Sequence, residues 1–328
     1  MELLNSKGQI IDDLRRGVQL VAPDLKLVSQ TTGFIAKSFA DKTVPVIALG
    51  GAGHEPADWG YVGEGMLCAS VTGMLFSPPS VAEIIRVTKQ VTKQKQAFFI
   101  VKNFPADVEN FTQASVCLQK EGWQVASCVV NDDISVDSEL LEKERRGLAG
   151  DVLVAKILGY LAQQGANLSQ LKQTSEQLVA NLTTLGVAFY GSEFRVTLRK
   201  EFSLKKDEIY YGVGIHGEPG YRKERLRASE LIARELVNKL RLNQRWYPQE
   251  RYAVLINGLG KLTELEKLIF TADVVELLQV EGIDLPFIKV GDLFTTNGLA
   301  GVSVTLLKLH EPWLEALEAP VKTYAWHQ

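Results

Sequence analysis

The sequence has few cysteines and no long apolar run. Cys68, Cys117 and Cys128 form an odd set without zinc-ligand spacing, so we expect reduced thiols in the core. No apolar run reaches the roughly 18 residues that a membrane-spanning helix requires. The first residues, MELLNSKGQIIDDLRR, are acidic and amphipathic and do not resemble a signal peptide. Together these absences predict a cytoplasmic protein that does not act in a membrane.

Strong positive charge and a nucleotide-phosphate loop are also lacking. The net charge is −3, which argues against direct nucleic-acid binding by this chain. Residues 258–261 (GLGK) lack the GxxxxGK[ST] spacing, and residues 50–53 (GGAG) are not a GxGxxG motif. We therefore expect no metal and no cofactor. A kinase built on this chain would need a separate nucleotide-bearing subunit.

Apolar and amphipathic segments alternate along the 328 residues, which indicates an α/β fold with sheets covered on both faces. The sequence predicts strands at residues 43–49, 97–102, 125–131, 194–198, 209–215, 252–257, 283–291 and 301–309. It predicts helices at residues 8–20, 80–94, 106–121, 226–241 and 262–281, and a mostly helical stretch at 139–185. Strands become denser afterwards, so we expect a first domain at 1–185 and a second at 186–311.

Only four histidines occur, and two of them lie in closely similar segments. Residues 53–56 read GHEP and residues 216–219 read HGEP, each after an apolar strand. Glycine permits positive φ and close approach of a ligand, and loops at strand ends are where α/β proteins bind ligands. His54 and His216 are therefore candidate ligand-binding residues. The alternative is that both bond only to nearby backbone groups in turns.

Three further polar segments each have two interpretations. Asp107, after the strand that ends at Lys102, is either a base toward a ligand hydroxyl or a carboxylate favoured by a helix N-terminus. Residues 131–133 (NDD) are either Mg²⁺ ligands or, as we favour, hydrogen-bonding turn residues. Residues 145–147 (RRG) form either an anion site or a solvated helix start.

Seven segments resemble the sugar-binding K subunit of dihydroxyacetone kinases, the DhaK family. They are GGAGHEPADWGYVGEGML, FSPPSV, IVKNFPADVENF, VVNDDISV, ERRGLAGDVLVAKI, GVGIHGEPG and VSVTLLKL. The segments keep their order and spacing over nearly the whole chain, and composition alone does not produce seven ordered motifs.

The resemblance implies a covalent mechanism. His216 looks like the histidine whose ring nitrogen adds to the C2 carbonyl of dihydroxyacetone and forms a hemiaminal. Its other ring nitrogen should donate to a carboxylate or carbonyl, for which Glu218 is a candidate. His54 looks like the histidine that bonds the sugar and assists proton movement, and Asp107 like the carboxylate that faces a hydroxyl. The further implied ligand contacts are Gly51, Gly53 and Lys102.

The resemblance also implies the assembly. It suggests two α/β domains in a homodimer, with the sugar bound where the domains meet and the tail, residues 312–328, returning to the first domain. In the kinases the phosphate comes from a nucleotide-bearing L subunit, in agreement with the missing phosphate loop.

The chain departs from the kinase pattern in several loops. It has LGGAGHEP at residues 49–56 where K subunits read GGGSGHEP, and KNFPAD at 102–107 where they read KNYTGD. Residues 191–194 (GSEF) and 295–299 (TTNGL) replace CTVP-like and TSLDM-like runs. Because the ligand-holding residues remain, the pattern favours the family's coactivator paralogues (DhaQ), which bind dihydroxyacetone and partner a TetR-type regulator of the kinase operon. A phosphorylating K subunit is the alternative.

Overall fold

The chain divides by its internal contacts into two compact units. The computed structural model describes residues 3–39, 43–135, 144–190 and 204–327. Unit 1 contains Met1–Val129, Val154–Glu176 and Ala319–Gln328, and unit 2 contains Val130–Leu153 and Gln177–Glu318. The boundary expected near residue 185 concerns separately folding domains, and it stays a prediction.

Unit 1 is built on a six-stranded sheet. Its strands are β1 (Leu25–Leu27), β2 (Gly33–Ala36), β3 (Val46–Ala52), β4 (Ala69–Leu75), β5 (Gln96–Lys102) and β6 (Gln124–Val130). Their order across the sheet is β1-β2-β4-β3-β5-β6. β3 pairs in parallel with β4 and β5, whereas β2 is antiparallel to β1 and β4. β3 is buried along nearly its whole length, which explains why its sequence reads as a continuous apolar run.

Local sequence fixes where the helices of unit 1 begin. In the described part of the chain the α-helices up to residue 180 are α1 (Ile10–Val21), α2 (Val81–Val91), α3 (Pro105–Lys120), α4 (Gly150–Gln163) and α5 (Leu168–Ala180), of which α4 begins in unit 2 and continues into unit 1. A capping box precedes α2: Ser80 Oγ accepts the Glu83 N–H at 3.3 Å, and Glu83 Oε2 accepts the Ser80 N–H at 2.9 Å. Pro105 occupies the first position of α3, where the helix does not need the missing N–H.

Unit 2 is built on a second six-stranded sheet. Its strands are β7 (Leu182–Phe189), β8 (Glu208–Tyr211), β9 (Arg222–Arg225), β10 (Arg251–Gly258), β11 (Asp284–Gly291) and β12 (Gly301–Lys308). The order is β11-β10-β12-β7-β8-β9, in which only β10 and β11 run parallel. The remaining helices are α6 (Ser229–Gln244), α7 (Glu264–Val280) and α8 (Trp313–Glu318).

The predicted α/β class is confirmed, but several element predictions are wrong. Residues 182–185, predicted to be helical, begin β7, and residues 144–149 precede the start of α4. The strand predicted at 209–215 ends at Tyr211, because Gly212 turns the chain with a φ of +77°. The strand predicted at 194–198 lies outside the described residues. The sequence also did not indicate β1, β2, β4, β9 or α8.

The three cysteines are free thiols, and their core placement was only partly right. Cys128 is buried and Cys68 is partly buried, but Cys117 is exposed on α3. Across the described ranges, no helix is both long enough and apolar enough to cross a membrane.

The C-terminal residues of unit 1 pack on the segment that follows β3. Lys322 donates its N–H to Glu64 O at 2.9 Å, and Ala325 donates to Gly60 O at 2.8 Å. The ring centroids of Tyr324 and Trp59 are 4.8 Å apart. These contacts lie next to the first candidate histidine loop.

Candidate functional site

The first candidate histidine follows the central strand of the unit 1 sheet. β3 and β5 are parallel neighbours, so the segments that follow Ala52 and Lys102 emerge at the same edge of the sheet. We call residues 53–58 the His54 loop. His54 is 2% exposed, and its ring centroid lies 5.3 Å from that of Phe76. The strand end thus holds this imidazole in a buried, partly aromatic setting.

A buried ion pair connects the His54 loop to the strand ends. The side chains of Lys102 and Asp58 are 3% and 6% exposed, and the ammonium lies 2.9 Å from both carboxylate oxygens. Lys102 Nζ also donates to Leu49 O at 2.9 Å. A Cβ at Gly50 would lie 2.9 Å from that ammonium, so a larger residue would displace the pair. Here Lys102, which the resemblance assigns to the ligand, is a partner of Asp58.

Packing explains the two glycines that the resemblance assigns to ligand contacts. A Cβ at Gly51 would lie 2.7 Å from Ser77 N and 2.9 Å from Ser77 O. Gly53 has a φ of +104°, and its Cβ would lie 2.6 Å from the ring of Phe76. The Gly53 N–H donates to the Glu55 carboxylate, 3.2 and 3.0 Å from its two oxygens. A role for either backbone toward a sugar therefore stays a prediction.

Glu55 is a carboxyl group that can exchange a proton near neutral pH. Burial raises its pKa to about 7, although backbone hydrogen bonds at Glu55 and Gly53 act in the opposite direction. The nearby charge of Asp58 raises the pKa further. A pKa in this range suits a general acid or base. Sequence analysis assigned no role to Glu55, which it noted only as part of the GHEP segment.

Asp107 lies in the first turn of α3 and is 8% exposed. This position agrees with both interpretations, because a helix N-terminus favours a carboxylate and α3 begins at the sheet edge that carries the His54 loop. Pro105, a departure from the kinase pattern, occupies the first helical position, and its missing N–H is therefore not lost from the helix.

The second candidate histidine lies in a compact turn of unit 2. We call residues 212–219 the His216 loop. Gly212 donates its N–H to Gly186 O at 2.8 Å, Gly214 donates to Glu218 O at 3.1 Å, and Gly217 donates to Gly214 O at 3.1 Å. Gly217 has a φ of +80°, which favours glycine at this position. These hydrogen bonds fix the loop within its own unit.

Glu218 holds the ring of His216. Its Oε1 lies 3.0 Å from His216 Nδ1, and its Oε2 accepts the His216 backbone N–H at 3.0 Å. Burial alone would raise the pKa of Glu218, but the hydrogen bond and charge of His216, with the charge of Arg146, lower it to about 2. An ionised carboxylate only accepts hydrogen bonds, so Nδ1 carries a proton. In the neutral ring the lone pair therefore lies on Nε2, and the expected partner Glu218 is confirmed.

A second ion pair, between the buried Asp133 and the partly buried Arg146, supports the His216 loop. Arg146 Nε lies 2.6 Å from Asp133 Oδ2, and Arg146 Nη2 donates to Gly212 O at 2.7 Å. A Cβ at Gly214 would lie 2.2 Å from Glu218 Oε2 and 2.6 Å from Arg146 Nη1. The glycine thus lets the carboxylate and the guanidinium approach each other. Neither interpretation of residues 145–147 describes Arg146, which is a partly buried residue that supports this loop.

The NDD segment provides hydrogen bonds, as we favoured. Asp132 accepts the N–H groups of Leu148 at 2.6 Å and Gly150 at 2.9 Å, and the Thr184 hydroxyl also donates to it. Burial raises the pKa of Asp132 to about 6, although these hydrogen bonds lower it and the charge of Asp133 adds to the increase. The contacts to Leu148 and Gly150 hold the chain as a loop until α4 begins.

The predicted site residues fall in the two units. His54, Asp107, Lys102, Gly51 and Gly53 follow or end strands of unit 1, and His216 lies in unit 2. Their convergence on one ligand stays a prediction.

Sequence reasoning assigned no contact to Glu55 or Asp58, and it did not predict that Asp133 and Arg146, from two segments that it singled out, form an ion pair. The one local signal was the Glu-Pro pair after each histidine, because the partners in both ion pairs are distant in sequence.

Known proteins with similar sequences cover the full length of the chain. The Dak1 domain matches residues 16–325. The chain is 41% identical to the DhaKLM operon coactivator DhaQ of Lactococcus lactis, over 99% of this chain and 100% of the relative. It is 36% identical to the dihydroxyacetone-binding subunit DhaK of the PTS-dependent dihydroxyacetone kinase of the same organism, over 99% of this chain and 98% of the relative.

Solved structures of similar proteins have the same fold as this chain. The dihydroxyacetone kinase operon co-activator Dha-DhaQ superposes with a TM-score of 0.91 at 41% identity, covering 96% of this chain and 97% of that chain. The dihydroxyacetone kinase of C. freundii superposes with a TM-score of 0.90 at 30% identity, covering 99% of this chain and 60% of that chain. The architecture of two sheets is therefore that of these proteins.

Proposed function

The chain belongs to the Dak1 family, and from this premise we propose that it binds dihydroxyacetone covalently on His216 and acts as a coactivator of a dihydroxyacetone kinase operon. The observation that carries the covalent part is the 3.0 Å contact between His216 Nδ1 and Glu218 Oε1. Similarity to an operon coactivator over the full length of both chains supports the regulatory part.

The proposed chemistry is an addition to a ketone. The Nε2 lone pair of His216 forms a bond to C2 of dihydroxyacetone, and the electron pair of the C=O π bond moves to the oxygen. The ring becomes cationic and is stabilised by the ionised Glu218. The alkoxide takes a proton from a neighbouring acid, and Nδ1 keeps its proton toward Glu218, so the adduct is a hemiaminal whose cationic ring is paired with this carboxylate. The adduct is reversible, and it weakens at low pH because a protonated imidazole has no lone pair.

A covalent bond to a carbonyl also explains how the protein would select its ligand. Glycerol presents similar terminal hydroxyl groups, so hydrogen bonds alone would distinguish the two molecules poorly. Glycerol has no carbonyl and cannot form the adduct. We therefore propose that ketones with small hydroxylated substituents bind and that the corresponding alcohols do not.

We propose that His54 and Asp107 act on the same sugar. Both follow parallel strands that end at one sheet edge, which is where such ligands bind in α/β proteins. In this proposal one of them supplies the proton that the alkoxide requires. Glu55 is a further source, because its pKa of about 7 permits exchange near neutral pH. We also propose a cytoplasmic homodimer.

As a coactivator, the sugar-bound protein would engage a TetR-type regulator of the kinase operon. The test is an electrophoretic mobility assay with the purified regulator and its operator DNA, with and without this protein and dihydroxyacetone. We expect the mobility of the regulator–DNA complex to change only when protein and sugar are both present. An unchanged complex under all four conditions would contradict the regulatory role.

A K subunit that phosphorylates dihydroxyacetone with an L subunit is the second candidate. Retention of Asp107 and the 36% identity to a kinase subunit favour it. Against it stand the changed loops at residues 49–53 and 102–107. We expect little or no phosphorylation when L-type partners are supplied, and turnover on the order of 1–100 s⁻¹ would establish the kinase.

The adduct itself can be observed with dihydroxyacetone labelled with ¹³C at C2. We expect the carbonyl signal of the bound sugar to be replaced by the signal of a tetrahedral carbon. A bound sugar that keeps its carbonyl signal would show noncovalent binding and remove the covalent part of the proposal.

A further inference from the structure

Unit 2 contains a large apolar groove that the proposed sugar chemistry does not use. Its volume is about 520 Å³, within the range of roughly 300–1,000 Å³ that is common for binding pockets. The floor consists of buried side chains at the ends of β7, β8 and β12 and near the starts of α6 and α7. Five of them are Ile209, Ile232, Phe270, Ala300 and Val302. We call this feature the α7 groove.

The apolar surface continues out of the groove onto the outer face of α7. At the lip, Leu226 is 55% exposed and Ile269 is 49% exposed. Leu265 and Leu268, which are 69% and 53% exposed, share a helix face with Ile269. A soluble helix normally directs polar residues to solvent, so this strip marks a contact surface. A small molecule within the groove would leave Leu265 and Leu268 uncovered.

The rim of the groove has a small excess of positive charge. Lys206, Arg227 and Lys261 line it and are exposed. Two glutamates also line it, and each is held by a backbone N–H group: Glu208 Oε2 accepts from Lys205 at 2.9 Å, and Glu266 Oε2 accepts from Thr263 at 2.8 Å. Arg227 is 55% exposed and lies 3.4 Å from the partly buried Glu224, so its guanidinium can also meet a partner's carboxylate.

The start of α6 adds polar donors at the same place. Its N-cap is Ala228, which has no side chain able to cap the helix. Ser229 lines the groove, and its hydroxyl has no hydrogen-bond partner among the described residues. A carboxylate at this position would meet the positive end of the helix and a hydroxyl donor.

We propose that the α7 groove is the docking surface for the regulatory partner of this protein, through a partner segment that carries a large apolar side chain flanked by carboxylates. The apolar side chain fills the groove, the carboxylates meet the cationic rim, and neighbouring apolar residues cover the outer face of α7. This inference rests on the proposed coactivator function and adds the place and chemistry of the contact.

The test measures the affinity of the purified TetR-type regulator for the dihydroxyacetone-loaded protein by isothermal titration calorimetry. Ile269→Asp and the double variant Lys206→Glu with Lys261→Glu should each weaken binding at least tenfold, which is about 1.4 kcal/mol. The double variant should also lose most of the salt dependence of binding. All variants should keep the sugar adduct mass, which shows that the chain is folded.

Matched controls carry the same changes elsewhere. Leu242→Asp alters an exposed leucine of α6 that does not line the groove, and Lys93→Glu with Lys120→Glu alters two exposed lysines of unit 1. Both controls should bind the regulator within twofold of the wild type. Groove variants that bind as well as the controls would overturn the docking surface.

Two other outcomes also decide the matter. If the groove variants change the sedimentation of the protein alone, the groove is a contact between two copies of this chain and the proposal is wrong. If the wild type forms the adduct but does not bind the regulator, the proposed coactivator function is wrong, and the proposed docking surface is then wrong as well. The failures are distinguishable, because only the second abolishes binding by the wild type.

Discussion

The His54 loop and the His216 loop each contain a glutamate whose side chain accepts a backbone N–H, but the two loops hold their histidines differently. In each loop a glutamate accepts the backbone N–H of the residue two positions before it: Gly53 bonds to Glu55, and His216 bonds to Glu218. In the second loop the residue that donates this N–H is the histidine itself, so the same carboxylate also contacts its ring. An offset of one residue therefore decides that Glu218 orients an imidazole.

The surroundings of the two glutamates differ as strongly. Burial, with the charge of Asp58, raises the pKa of Glu55 to about 7. Around Glu218 the effects of His216 and Arg146 outweigh burial and lower the pKa to about 2. The same Glu-Pro pair thus provides a proton-exchanging group in one loop and a permanent anion in the other. The permanent anion holds a proton on Nδ1 of His216.

An ion pair stabilises each loop, and breaking either pair should have the largest effect. Asp58→Ala would leave Lys102 buried without this carboxylate, and Asp133→Ala would remove the carboxylate from the partly buried Arg146. We expect Asp58→Ala to lower the free energy of unfolding by about 3–5 kcal/mol, and Asp133→Ala to lower it by less because Arg146 keeps contact with water. Guanidinium chloride denaturation, followed by circular dichroism, measures the loss.

The matched control for both pairs is an exposed one. Lys89 and Glu121 are 40% and 49% exposed, so Glu121→Ala should cost less than about 1 kcal/mol. If Asp58→Ala or Asp133→Ala lowers the free energy of unfolding by no more than this control, that ion pair does not stabilise its loop.

Adding one methyl group to a glycine of either loop should have an intermediate effect. Gly214→Ala places Cβ on Glu218 Oε2 and Arg146 Nη1, and Gly51→Ala places it on the backbone of Ser77. We expect a destabilisation of about 1–3 kcal/mol for each, measured by thermal denaturation.

Gly186→Ala is the control, because the nearest atom to its Cβ would be at 3.4 Å, an ordinary contact. Gly214→Ala should also weaken the sugar adduct by displacing Glu218, whereas Gly186→Ala should leave it intact. An adduct of equal strength in these two variants would show that the contact of Glu218 with the His216 ring is not the deciding feature.

The two glutamates should give stability profiles of opposite sign with pH. The pKa of Glu55 rises from 4.5 to about 7 on folding, so its contribution is complete below pH 4.5 and is lost as the pH rises through 7. The pKa of Glu218 falls from 4.5 to about 2, so its contribution is complete above pH 4.5 and is lost as the pH falls through 2.

Denaturation midpoints of Glu55→Gln and Glu218→Gln, measured from pH 3 to pH 8, test these signs. Relative to the wild type, Glu55→Gln should gain about 1–3 kcal/mol between pH 5 and 8. Glu218→Gln should be least stable relative to the wild type near neutral pH. Parallel profiles for the two variants would contradict the electrostatic difference between the loops.

Local signals in the sequence were sufficient for the features that depend on neighbouring residues. The helix predicted from residue 80 begins at Val81 with Ser80 as its cap, and the contact of Glu218 with the nearby histidine was expected. β7 was missed because its residues are almost wholly buried, so the sequence shows no alternation that separates a strand from a helix.

Features that join distant residues could not be predicted. Lys102 meets Asp58 because β5 lies beside β3, and Arg146 meets Gly212 across a long sequence separation. The exposed apolar face of α7 was also hidden, since the sequence shows an apolar helix but not which side remains uncovered. For Lys102 the family resemblance indicated a ligand contact, whereas the structure also assigns it a structural role.

The most direct test of the account is the intact mass of the protein after incubation with dihydroxyacetone, measured for the wild type, His54→Gln and His216→Gln. The account predicts that the wild type gains the mass of one dihydroxyacetone without loss of water. His54→Gln should keep an adduct that forms more slowly, and His216→Gln should show none while its circular dichroism spectrum is unchanged. An adduct that persists in His216→Gln, or that is lost only in His54→Gln, would contradict the claim that His216 carries the sugar.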